Sequence, residues 1–149
     1  MARRRSLMEA RPWTAADAEE LARSFLRRVW SEPHDLDAID ELMTEDYVIT
    51  SGGAEIRGRA AFKAWVAAFQ TTLLGATNEV QEVFANAAGD RVVSRWICSG
   101  RHNGFFGLPA TGEDVRFTGI AIWAVRDRRL SECWVERAAL EAWQRLQKR

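Results

Sequence analysis

The first apolar positions recur three and four residues apart. Ala18, Leu21, Ala22, Phe25, Leu26, Val29 and Trp30 fall on one side of a helix, so that side is expected to pack inward. Thr14 can cap this helix, with Asp17 at its third position completing a variant of the capping box. The segment SEPHD ends the pattern, and Asp35 can cap a second, short helix carrying Leu36, Ile39, Leu42 and Met43 on its apolar side. DYVITS predicts a short strand and GGAEIRG a turn. A third helix is expected from about Arg59 to Leu74, with Phe62, Trp65, Val66 and Phe69 on one side.

The period then changes from helical to alternating. NEVQEVFAN and RVVSRWICSGRH flank AAGD, a hairpin signal. DVRFTGIAIWAVR and RLSECWVER flank the tight turn RDRR, and AALEAWQRLQKR predicts a closing helix. Helices grouped before four long antiparallel strands predict an α+β domain. Such a sheet curved around a long helix leaves a cavity walled by its concave face. Residues 1–12 are expected to form a flexible basic tail and 13–149 a single domain.

Acidic and basic residues balance at 21 each, which argues against nucleic acid or a membrane surface as partner. No apolar stretch follows MARRR as a secretory signal would require, and none reaches the roughly 20 residues of a membrane span. Cys98 and Cys133 are isolated, without a metal spacing, and suit reduced, buried thiols of a cytoplasmic protein. There is no phosphate loop, dinucleotide fingerprint, His/Cys metal set or Ser-His-Asp order, so neither cofactor nor metal is expected. Seven tryptophans are a heavy load for this length; packing accounts for some, and others suit the wall of a pocket for a flat or apolar ligand.

Alternation along residues 91–102 puts Val92, Ser94, Trp96, Cys98, Gly100 and His102 on one face. Arg91, Arg95 and Arg101 mark the other face as the wetter one. His102 therefore belongs to the expected cavity wall. In the last strand Glu132, Trp134 and Glu136 share one face and Cys133, Val135 and Arg137 the other; the pattern alone does not say which is inside.

The segments DLDAIDELMTEDYV, IRGRAAFKAWVAAF, GDRVVSRWICSGRHNGFFGLPATGEDVRFTGIAIW and ECWVERAALEAWQRL resemble the SnoaL-like branch of the NTF2-like superfamily. Between two such strands, the run of Gly100, His102, Gly104, Gly107, Pro109, Thr111 and Gly112 is fairly specific. The resemblance implies a cone-shaped sheet around helices, a deep apolar pocket, a homodimer and cofactor-free chemistry. Its enzymes include aldol-type polyketide cyclases, polyketide hydroxylases, and epoxide-opening hydrolases and cyclases. The aldol cyclases carry a carboxylate four residues after the last-strand tryptophan; counting from Trp134 gives Ala138 here.

By the family's parity, Glu136 would enter the cavity. With His102 it would form a general acid/base pair, the division of roles left open. Tyr47 would hydrogen-bond a substrate oxygen. Trp65, Trp96, Phe117 and Trp123 would line the pocket, with Phe105 and Phe106 as a mobile lid. The leading expectation is opening of a prenylated epoxide by an internal hydroxyl to form a pyran-type ring. The rivals are a polyketide cyclase or hydroxylase, and a non-catalytic binding or dimerisation module.

Overall fold

The computed structural model describes residues 11–148. Most of the expected tail thus lies outside the described residues; Arg11, its next-to-last member, pairs with Asp17 at 2.7 Å.

Helix α1 spans Ala15–Trp30 and buries the seven residues predicted from spacing. Its capping box is complete: Asp17 N–H donates to Thr14 Oγ1, and the Asp17 carboxylate accepts from Thr14 N–H at 2.9 Å. Helix α2, Ala38–Leu42, begins later than expected. Asp37 holds its cap position without a capping side-chain bond, its carboxylate pairing instead with Lys63 at 2.9 Å, while Asp35 pairs with Arg28 at 3.0 Å.

Strand β1 is Met43–Ser51. The expected turn over 52–58 is half strand: Ala54–Arg57 forms β2, antiparallel to β1. Gly52 and Gly53, with φ of 58° and 79°, suffice for the reversal, so the following residues are free to pair. Helix α3, Arg59–Thr72, stops short of Leu74, because Leu73 opens β3, Leu73–Ala85. Strands β4 (Arg91–His102), β5 (Asp114–Arg126) and β6 (Arg129–Arg137) match their predicted limits, and α4 covers Ala139–Gln147.

The six strands form one curved, unclosed sheet in the order β2-β1-β6-β5-β4-β3. Neighbours run antiparallel except β1 and β6, which are parallel. That pairing places the early segment around Tyr47 beside the last strand, with Ile49 opposite Cys133. Helices α1 and α3 contribute Phe25, Leu26, Val29, Phe62 and Val66 to the core inside the sheet. Among the described residues no helix is long and apolar enough to cross a membrane.

The inner face of β4 is as alternation predicts: Val92, Ser94, Trp96, Cys98 and His102 are buried. On β6 the expected face is reversed. Trp96 lies opposite Gly119, and Gly119 opposite Arg137, and residues directly opposite share a face. Arg137, Val135 and Cys133 therefore face inward with Trp96. Glu136 and Trp134 face outward, opposite the exposed Ile120 and Ile122. Small Cys133 and Val135 fit the crowded concave side against Tyr47 and Trp123; the bulky Trp134 does not.

Candidate functional site

His102 closes β4 on the inner face, buried, and its Nδ1 accepts a hydrogen bond from the Phe105 N–H at 3.1 Å. With Nδ1 accepting, the neutral ring carries its proton on Nε2. Phe105 is buried between Phe69, edge-on at 5.7 Å, and Phe117, stacked at 5.8 Å. Phe106 points outward, 42 % exposed, with φ of 59°, a left-handed conformation unusual for a bulky side chain. His102 thus fixes the loop after β4 and is absent from the wall of the main pocket.

Nor do His102 and Glu136 meet. Glu136 aligns through Ile120 with Arg95, and His102 lies seven positions further along β4 than Arg95. At about 3.3 Å per residue that is roughly 23 Å along the strand, and the two side chains leave opposite faces. The expected acid/base pair is not assembled.

The main pocket lies between the concave face and helices α1 and α3. Its wall includes Tyr47, Trp96, Phe117 and Trp123, all expected there, together with Phe25, Trp30, Asn78, Cys98, Cys133 and Arg137. With the side chains as they stand, its cavity volume is about 30 Å³, a narrow slot between the rings with room for little more than water. Trp65 stands behind this wall, its ring 5.4 Å from the Arg137 guanidinium. Gly119 makes room for Trp96: a Cβ there would come within 2.2 Å of the indole ring.

The polar atoms in this wall are mostly donors. The Tyr47 hydroxyl and the indole N–H groups of Trp96 and Trp123 are buried without a hydrogen-bond partner, as is the Asn78 carbonyl oxygen. Tyr47, Trp123 and Cys133 lie close together, yet neither Tyr47 Oη nor Trp123 Nε1 completes a well-formed bond. Burial pushes the Tyr47 phenol well above its ordinary pKa, with the neighbouring Cys133 adding to the rise. The Cys98 and Cys133 thiols are pushed up to about 12 by the same cause, so neither is a ready nucleophile. Burial lowers the Arg137 pKa. Its Nη1 donates to Ser51 Oγ at 2.9 Å. No carboxylate and no histidine lines this pocket among the described residues.

Tyr47, Trp96, Phe117 and Trp123 are thus brought together, Phe105 packs on Phe69 and Phe117 of the wall, and Phe106, His102 and Glu136 stay outside. Arg137 and Asn78 were not anticipated. The Cys133-Val135-Arg137 alternation carries the signal for Arg137.

The solved structures similar to this chain include a proposed polyketide cyclase from Acidithiobacillus ferrooxidans, 25% identical, with a TM-score of 0.78 over 89% of this chain and 95% of that one. A proposed SnoaL-like polyketide cyclase from Jannaschia sp. CCS1 is 18% identical, with a TM-score of 0.82 over 93% and 97%. An LEH-like epoxide hydrolase from M. tuberculosis is 18% identical, with a TM-score of 0.70 over 90% and 86%, a likeness of fold. No curated protein matches the chain. The SnoaL-like domain model matches residues 22–133, from α1 into β6, and the chain belongs to the SnoaL-like domain family.

Proposed function

We propose that this chain is a cyclase-type enzyme that closes a pyran-type ring by opening an epoxide within its substrate. The observation that carries the proposal is the Tyr47 hydroxyl beside the Trp123 N–H, two buried donors that complete no well-formed hydrogen bond among the described residues, in one apolar slot. Buried donors without partners are costly, and a ligand oxygen satisfies them. Hydrogen-bonded there, an epoxide oxygen becomes a better leaving group. A hydroxyl of the same molecule attacks the epoxide carbon, the carbon–oxygen bond breaks, and the hydroxyl proton ends on the released oxygen. The reaction is an isomerisation with no net proton, so a slot lined by donors and lacking a carboxylate base suits it. The raised pKa keeps Tyr47 a neutral donor throughout. Once the ring side chains part to admit the substrate, the slot would hold it folded for attack. Epoxide opening on this fold is also the chemistry named for the M. tuberculosis neighbour.

A second reading, polyketide cyclisation, is favoured by the proposed activity of the Acidithiobacillus and Jannaschia neighbours. The same donors would polarise a carbonyl, and the proton would have to leave without a pocket carboxylate.

The test is turnover of a prenylated phenol epoxide. Tyr47→Phe should lower kcat by roughly 10²-fold, the usual loss for one oxyanion donor. Wild-type turnover in that variant overturns the proposal. Conversion of an anthraquinone-type ester with the epoxide untouched selects the second reading. We further propose a homodimer formed through the outer sheet face, where Phe84, Val93, Ile122 and Trp134 align across four strands.

A further inference from the structure

Among the described residues, the Arg137 guanidinium is the one charged group in a wall of rings, aliphatic side chains, thiols and the Asn78 amide. An arginine has five N–H donors in a planar fork. Among the described residues, Ser51 Oγ accepts one of them at 2.9 Å, and the Trp65 ring covers the group at 5.4 Å. No ion pair relieves it among the described residues. Glu136, its sequence neighbour, leaves the opposite face of β6 and is exposed, so it acts on Arg137 only at a distance. The group is partly buried at the pocket wall, and the matching partner for a guanidinium there is a planar oxyanion held by two parallel N–H bonds. Three of the four unpartnered wall atoms agree in sign, the Asn78 carbonyl oxygen being the exception. Tyr47 Oη, Trp96 Nε1 and Trp123 Nε1 all offer hydrogen to an acceptor.

We infer that the ligand of this pocket is a slim, largely apolar acid whose carboxylate sits on Arg137, and that Arg137 selects for that class. Ser51 holds the guanidinium in place, and Trp65 keeps it turned toward the slot. The carboxylate would lie at one pole and the reacting oxygen at the Tyr47–Trp123 pole, which fixes the direction in which a substrate enters. This inference deepens the small-molecule reading above and rests on it.

Unreactive probes separate the two claims. trans-Cinnamate and its neutral isostere trans-cinnamamide are titrated calorimetrically against the full chain. Cinnamate is expected to bind roughly tenfold or more tightly than the amide, as a charge-assisted, bidentate pair requires. Arg137→Gln should bring that ratio close to one while amide binding persists. Arg137→Lys, a point charge without the fork, should keep part of the preference. Should Arg137→Gln fail to fold, Ser51→Ala gives the answer, because loosening the guanidinium should cut the ratio roughly threefold. Equal affinity for both probes, binding of neither, or a ratio indifferent to all three substitutions overturns the inference. Tyr47→Phe should keep the cinnamate preference even where turnover is lost, so failure of the epoxide chemistry is read separately.

Discussion

The Nδ1 of His102 accepts the Phe105 backbone N–H at 3.1 Å, and through that bond the end of β4 dictates where the aromatic loop packs. His102 is thus a positioning residue. His102→Asn, whose Oδ1 can take the place of Nδ1, should retain loop order. His102→Ala should cost about 1–3 kcal/mol and speed exchange of the Phe105 amide. Both are measured by denaturant unfolding and hydrogen exchange. In turnover, the alanine variant should raise KM more than it lowers kcat.

Glu136 lies on the exposed outer face, opposite Ile120. Glu136→Gln should therefore leave turnover within about twofold of the parent and stability within about 0.5 kcal/mol. A large loss of kcat would restore it to the chemistry.

Gly119 lies under Trp96, with room for no Cβ. Gly119→Ala must push the indole into the pocket. The expected cost is about 1–3 kcal/mol in thermal unfolding, with weaker binding of any ligand that occupies the slot.

Both cysteines hold their protons to about pH 12 in the folded chain, against a usual thiol value of 9. The raised folded value means that their contribution is fully present below pH 9 and is lost as pH rises toward 12, because the unfolded chain ionises first. Denaturation curves should show this alkaline fall. The double variant Cys98→Ala/Cys133→Ala should flatten it, whatever the substitutions do to stability at neutral pH. A thiol reagent at neutral pH should label the native chain slowly.

The outer row of Phe84, Val93, Ile122 and Trp134 runs straight across β3, β4, β5 and β6, with Arg91 against the Trp134 ring at 6.0 Å. Ile122→Glu should shift sedimentation toward the monomer without changing the fold. A monomeric parent chain would refute the dimer.

The sequence carried the elements well where one period dominated. Helix α1 and strands β4, β5 and β6 have spacing or alternation that fixes the type and limits of the element, though not the inner face of β6, and the Thr14–Asp17 cap is a purely local device. The short β2 was hidden because its pairing depends on β1, a partner that local pattern does not name. The site was half legible for the same reason. Tyr47, Trp96, Phe117 and Trp123 are large, and their burial is nearly assured by size. The choice between Glu136 and Arg137 turns on the strand register, which is set by the lateral match of Trp96, Gly119 and Arg137. Family parity pointed to the wrong face, because this chain puts its last-strand tryptophan outside.

Glu136 and Arg137 are neighbours on one strand, yet they serve opposite sides of the sheet. The turn before that strand is only Asp127–Arg128, both at positive φ. A one-residue slip there would exchange the two faces of β6 and put a carboxylate where a guanidinium now stands. The electrical sign of the cavity is therefore stored in the length of a hairpin as well as in the identity of a side chain. Within such a scaffold, a single inserted or deleted codon is a route between pockets for acids and pockets for bases.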